Sequence, residues 1–252
     1  MDVAIITARA GSTSIPNKNV MEVANRSLVS YPVKAAEEAE TISKSYTSTN
    51  GDKIADVARK LGSEIIWRPE ELWGDGGHGD VIKHATETVD EQVEDLENVV
   101  VLLGNTTMVD SDLIDQAVEL LHERPEIDST MTVWEAADDH PIRAMKVNDE
   151  GYLTAYDEVS EDAETDRKTY DSAFYYDQGI WAFRKETVQE KSGPGTWWWM
   201  GEKCQPIVRT WTTGRDIHNH FNAQLHAFYE RNREDLREFE ERVVWDEYGG
   251  DD

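Results

Sequence analysis

Five consecutive apolar residues, Val99-Val100-Val101-Leu102-Leu103, form the strongest strand signal in this chain. A run so short and uninterrupted belongs to a strand covered on both faces, which predicts a central parallel strand. Other strand-like runs alternate with helical patterns around it. Strands are expected at Ala4 to Ala8, Ser45 to Thr49, Glu64 to Trp67 and Ser129 to Trp134. Helices are expected at Leu28 to Ala39, Lys53 to Leu61 (stopping at Gly62), Val81 to Val93 and Asp112 to Leu121. This βαβα order predicts a doubly wound, mostly parallel sheet. The middle of the chain differs: Ala144 to Val147, Tyr152 to Ala155 and Gly179 to Phe183 read as short strands around turn signals. Ser160 to Arg167 reads as an acidic loop, Ser192 to Thr196 as a turn, and Asn219 to Trp245 as one long charged helix.

Charge narrows the partners. The 252 residues carry 52 acidic and 25 basic side chains, a net charge of -27. Such a surface disfavours nucleic acid and anionic membranes. The acids are spread along the whole chain, which suggests a salt-adapted, halophilic source, where screening relieves self-repulsion. Hydrophobic content of 38% supports a core. One cysteine, Cys204, leaves no intramolecular disulfide framework and no cysteine-based metal site. With no leader-like stretch and no run of membrane-span length, a cytoplasmic location is expected.

The first strand leads directly into Arg9-Ala10-Gly11-Ser12-Thr13-Ser14-Ile15-Pro16-Asn17-Lys18-Asn19. Small residues let backbone N–H groups approach an anion, and Arg9 and Lys18 supply charge that a triphosphate can use. The spacing fits neither the P-loop nor the dinucleotide glycine pattern, and a plain Gly-Ser turn fits the same residues.

These residues resemble the opening signature of the acylneuraminate cytidylyltransferases and the related CMP-Kdo synthetases, a strand followed by A-R-x-G-S-K-x-I-P-x-K-N. Ala8, Arg9, Gly11, Ser12, Ile15, Pro16, Lys18 and Asn19 fall in register, with Thr13 where the family commonly has Lys. The resemblance continues through Tyr46 to Ala58, Arg68-Pro69-Glu70-Glu71-Leu72, Val81 to Ala85, His140 to Leu153, Tyr176 to Phe183 and Asp216-Ile217-His218. There are departures. Leu103-Gly104-Asn105-Thr106-Thr107-Met108-Val109-Asp110 stands where the family has L-Q-P-T-S-P-L-R, Asn50 replaces an Asp, and His218 replaces the second Asp of a metal pair.

The resemblance implies a three-layer α/β fold with a small β-rich dimerisation subdomain. It implies one nucleotidyltransferase domain over 1–252, with 140–185 as a dimerisation and sugar-site insertion, and a homodimer. The implied reaction joins CTP and a 2-keto-3-deoxy sugar acid into a CMP-sugar and pyrophosphate, with Mg²⁺ as cofactor. Arg9, Lys18 and Asp216 become the catalytic candidates. Ala8, Arg9, Gly11, Ser12, Lys18 and Asn19 would hold the nucleotide. Gly104, Asn105, Arg143 and Arg167 would face the sugar, and Asp216 with His218 the metal. Imidazole is a poor Mg²⁺ ligand, and a surface role fits an isolated Asp equally well. Arg143 and Lys146 also suit surface ion pairs. His84 reads as a helix-packing residue. Trp197-Trp198-Trp199 cannot all face one core, so a dimer contact is expected there, with a plain buried cluster as the other use.

Overall fold

A computed structural model of the chain describes residues 1–12, 14–74, 77–158, 166, 169–210, 215–237 and 242–244. The expected loop from Ser160 to Arg167 falls almost wholly outside them. In chain order the elements begin with β1 (Asp2–Thr7), the hairpin β2 (Glu22–Val23) and β3 (Arg26–Ser27), α1 (Ser30–Glu38), β4 (Lys44–Thr49), α2 (Asp52–Lys60) and β5 (Glu64–Trp67). Next come α3 (His78–Asp90), β6 (Asn98–Leu103), α4 (Ser111–Glu123) and β7 (Ser129–Glu135). Last are β8 (Met145–Val147), β9 (Leu153–Ala155), β10 (Phe174–Arg184), α5 (Thr187–Glu190), β11 (Cys204–Arg209), α6 (His220–Arg231), α7 (Arg233–Leu236) and β12 (Arg242–Val244).

Eight strands form one sheet in the order β12-β11-β7-β10-β6-β1-β4-β5. β1 pairs in parallel with β4 and β6, β4 with β5, and β7 with β11. β10 runs antiparallel between β6 and β7. β6 is therefore central as expected, but only its β1 side is parallel. Its apolarity reports burial on both faces, not the direction of both neighbours.

The alternation of β1 shows how the layers form. Ala4, Ile6 and Ala8 pack on one face with Val33 of α1, Ile54 of α2 and Leu113 of α4. Val3 and Ile5 pack on the other with Ile82 and Val89 of α3 and Val188 of α5. Successive side chains of a strand point to opposite faces, so an unbroken apolar strand serves two helical layers. α4 starts where Asp110 accepts a hydrogen bond from the Leu113 N–H at 3.1 Å.

One expectation is corrected here. The long terminal helix is broken: α6 ends at Arg231, the single turn of α7 follows, and Arg242–Val244 pairs antiparallel with β11. Charge-rich helical spacing hid a strand whose identity comes from its neighbour. β11 itself was not expected. The tryptophan run folds onto its own sheet face: Trp199 is buried, and Trp197 and Trp198 pack partly buried against the same cluster. β8 and β9 form a separate two-stranded sheet. Its Met145, Val147 and Leu153, with Tyr152 and Tyr156 beside them, are all more than 60% exposed.

Candidate active site

Strand order places the site. From β1 the chain moves outward through β4 to β5, then returns to β6 on the other side of β1. In open α/β sheets such a reversal leaves a crevice at the carboxyl ends of the two strands. Thr7 and Ala8 lie on one side of it, Gly104 and Asn105 on the other. The Gly104 N–H donates to the Thr7 carbonyl at 3.0 Å.

The loop after β1 is pinned from β4. The Ala8 N–H donates to the Ser48 carbonyl at 3.0 Å, and the Ala10 N–H donates to Asn50 Oδ1 at 2.8 Å. Asn50 thus keeps the acceptor an Asp would supply and omits a negative charge beside the loop. Gly11 has φ of +77°, the left-handed region that favours glycine, and is exposed. Ser12 is half-buried, with its Oγ 3.4 Å from Ser14 Oγ. Asn17, also left-handed at φ 55°, turns the chain into one helical turn that carries Lys18 and Asn19 inward. Asn19 Nδ2 donates to the Arg9 carbonyl at 2.9 Å, while its Oδ1 is buried without a partner.

The segment at Asp216 closes over this loop. Ile217 is fully buried with Ile15, Leu28, Tyr31, Ala223 and Ala227, which anchors the strap between the first loop and α6. The Ile217 N–H donates to the Asn105 carbonyl at 3.0 Å, and Lys18 Nζ donates to the Ile217 carbonyl at 2.7 Å. Asp216 is 5% exposed. One of its oxygens accepts from Asn105 Nδ2 at 2.5 Å; the other lies 2.7 Å from His218 Nε2. Burial raises the Asp216 carboxyl above the usual range, against the opposing pull of His218 and Lys18. Burial lowers Lys18 from its ordinary value; Asp216 opposes that shift and Arg9 adds to it.

Sequence reasoning left two further members out of the site. Arg68, 7% exposed, donates from Nε to Ser48 Oγ at 3.1 Å and from Nη2 to the Ser48 carbonyl at 2.9 Å. Burial and then the Arg9 charge push it down to about 10. His78, at the start of α3, has Nε2 3.0 Å from Thr7 Oγ1 and sets its ring against Trp181 and Trp199. Burial, with Arg68 adding to it, pushes His78 down to about 4, so the ring is neutral near pH 7. Arg68 carried a signal in its Arg-Pro segment. His78 had none.

The expected residues divide accordingly. Arg9, Lys18, Asn19, Asn105, Asp216 and His218 come together with Ala8 at the crevice. Gly104 reaches it by backbone alone: a Cβ there would meet Ala8 Cβ at 2.6 Å and the Thr7 carbonyl at 3.2 Å, so no side chain fits. Arg143 pairs instead with Asp138 at 3.4 Å and lies over the Tyr170 ring. Arg167 lies outside the described residues. Beneath the crevice, the buried pair Arg209–Asp177 at 3.0 Å braces the loop after β6, since Arg209 Nη2 also donates to the Met108 carbonyl at 2.7 Å. His226, fully buried, accepts from the Thr107 N–H at 3.3 Å, and burial pushes its ring down to about 4.

The family model described as cytidylyltransferase matches residues 3–191. The chain belongs to the cytidylyltransferase family. An N-acylneuraminate cytidylyltransferase of Streptococcus agalactiae is 26% identical over 194 residues, 75% of this chain and 45% of that protein. One of Escherichia coli is 32% identical over 119 residues, 47% of this chain and 27% of that one. The pseudaminic acid cytidylyltransferase of Campylobacter jejuni is 26% identical over 161 residues, 62% of this chain and 68% of its own length. The match therefore spans less than half of the first two relatives. Among solved structures, CMP:2-keto-3-deoxy-manno-octonic acid synthetase complexed with CTP superposes with a TM-score of 0.67 at 13% identity, covering 92% of this chain and 99% of that one. This cytidylyltransferase therefore has the mostly parallel α/β fold expected from its sequence.

Proposed function

We propose that this cytidylyltransferase transfers CMP from CTP to a 2-keto-3-deoxy sugar acid of the sialic, legionaminic or pseudaminic type and releases pyrophosphate. The observation that carries this reading is the convergence of Arg9, Lys18 and Asp216 at the crevice between β1 and β6. The anomeric hydroxyl oxygen would bond to the α-phosphorus as the bond to the β-phosphate bridging oxygen breaks. The hydroxyl proton would pass to solvent or to a nearby carboxylate. Arg9 and Lys18 would neutralise charge building on the departing pyrophosphate, and the loop backbone at Gly11 and Ser12 would hold its oxygens. Asn19, with one amide oxygen unpaired, offers an acceptor to the nucleotide.

A divalent ion fits the Asp216 corner. Asn105 Oδ1 is buried without a partner beside the Asp216 carboxylate, and two hard oxygens plus substrate phosphates suit Mg²⁺. When bound, such an ion would screen the phosphates and lower the barrier to attack. His218 would act as a hydrogen-bond partner of Asp216 rather than as a ligand. The loss of side chain at Gly104 moves sugar recognition to other residues, which leaves Arg167 a candidate.

We also propose a homodimer through the exposed β8–β9 hairpin, a cytoplasmic location, and the single-domain organisation over 1–252 with 140–185 as its insertion. Among the described residues no helix is long and apolar enough to cross a membrane. Leu153→Lys should convert a dimer to a monomer in light scattering; a monomeric parent would remove the dimer.

Pyrophosphate release should be measured with CTP, UTP and GTP against N-acylneuraminate, pseudaminate, legionaminate and Kdo, with Mg²⁺, at high and low salt. Release with CTP and a nonulosonate acid is expected. Release only with Kdo, or with UTP or GTP and a sugar phosphate, would reassign the substrate. CTP binding without release for any sugar would mark a nucleotide-binding relative without turnover. Full activity and folding in dilute buffer would end the halophilic reading.

A further inference from the structure

The opposite ends of β1 and β6 hold a second polar cluster. Asp2 and Asn98 are partners in the parallel register, and both are buried, at 7% and 1% exposure. Asn98 Nδ2 donates to Asp2 Oδ1 at 2.7 Å. His122, near the C-terminus of α4, sets Nε2 2.8 Å from Asp2 Oδ2. One ligand atom each from Asp2, Glu97 and His122 lies within 4.8 Å of the others. Asn98 adds an independent sign: its Oδ1 is buried without a hydrogen-bond partner. Asn98, Glu97 and His122 line one cavity of about 240 Å³. A buried carbonyl oxygen left unpaired is costly, and a cation would satisfy it.

We infer that this cavity binds a divalent transition-metal ion of the Zn²⁺ type, with Asp2, Glu97 and His122 as ligands and the Asn98 amide oxygen completing the set. Three oxygens and one imidazole nitrogen suit Zn²⁺ or Mn²⁺ better than Mg²⁺ or Ca²⁺, which favour oxygen alone. The negative end of α4 also favours a cation here. The one guanidinium lining the cavity, Arg184, donates to the carbonyls of Leu121, Arg124 and Ile127. The Met1 ammonium lies 3.5 Å from Glu97 and would be the group to yield. The ion would tie the start of β1, the segment before β6 and the end of α4 together. β1 separates it from Asp216 by six residues, about 20 Å, so its role is structural.

The test uses the whole chain without an N-terminal extension, stripped with chelator and titrated with Zn²⁺ alone by calorimetry, in the Asp216→Asn background so that the crevice does not contribute. One ion per chain should bind, and Zn²⁺ should raise the thermal midpoint. His122→Ala and Glu97→Gln, both at well-exposed side chains, should weaken that ion at least about tenfold and abolish the thermal shift. No binding in the parent, or equal binding in the parent and both variants, would overturn the site.

Discussion

The two ends of β1 and β6 are built from the same pair of strands and do opposite things. At the carboxyl end, Lys18 faces one buried carboxylate, Asp216, and the charge of Arg9 reaches both Lys18 and Arg68. At the amino end, Asp2 and Glu97 stand with His122. Parallel pairing makes this division possible, because all the loops that leave β1, β4 and β6 emerge on one side. The carboxyl-end loops are long and held by hydrogen bonds from other segments. At the amino end, Asp2 sits on β1, Glu97 just before β6 and His122 in the last turn of α4. The proposed catalytic chemistry therefore gathers where chain length allows convergence, and the other end is left for the proposed cross-bracing.

The largest effects should come from the carboxyl end. Arg9→Ala and Lys18→Ala should each lower turnover by roughly 10²–10³-fold while far-UV circular dichroism stays native. Wild-type rates in both variants would erase the contrast, because the cations would then be decoration. A second effect concerns pH. His226 is held near a value of about 4 when folded, against about 6.5 when unfolded. The unfolded chain therefore binds more protons between those values, and stability falls as pH drops from about 6.5 to 4. The contribution is on the order of 3 kcal/mol. His226→Leu should flatten the slope of denaturation midpoint against pH, whatever it does to the stability at pH 7. An unchanged slope would mean that the buried ring titrates normally. His78 should keep part of the slope in that variant.

What the sequence made legible follows the same division. The strands β1, β4, β5, β6 and β7 and the helices between them were readable because each has one strong period and a hydrophobic face. Arg9, Lys18, Asn19 and Asp216 were readable from the resemblance of short segments. β11 and β12 were not, because their state comes from pairing: β11 lies beside β7, and the three-residue β12 beside β11. His78 could not be found, since its environment is assembled from Thr7, Arg68, Trp181 and Trp199, residues spread over almost two hundred positions. Arg143 forms the surface ion pair that its sequence also suited, with Asp138 five residues away.

Gly104→Ala should have an intermediate effect. The added Cβ would lie 2.6 Å from Ala8 Cβ and 3.3 Å from Ala8 Cα, and neither can swing aside. Separation of β1 from β6 at the crevice should cost about 1–3 kcal/mol, read from chemical denaturation, and should lower turnover as well by displacing Asn105. Restoring the family's Gln at this position should do more harm, not less. Tolerance of Gly104→Ala with native stability would show that the crevice is looser than these distances imply.

The smallest effect should come from the amino end, and it completes the comparison. With chelator present, His122→Ala removes only a half-exposed partner of Asp2, whose other oxygen still accepts from Asn98. Asp2 is buried, but water can replace the half-exposed imidazole at its second oxygen, so the loss should stay at about 1 kcal/mol. Turnover should stay at the parent rate, because β1 and the packed core stand between His122 and the crevice. A tenfold loss of turnover in metal-free His122→Ala would show that the two ends are mechanically coupled, and the division of labour along these strands would have to be abandoned.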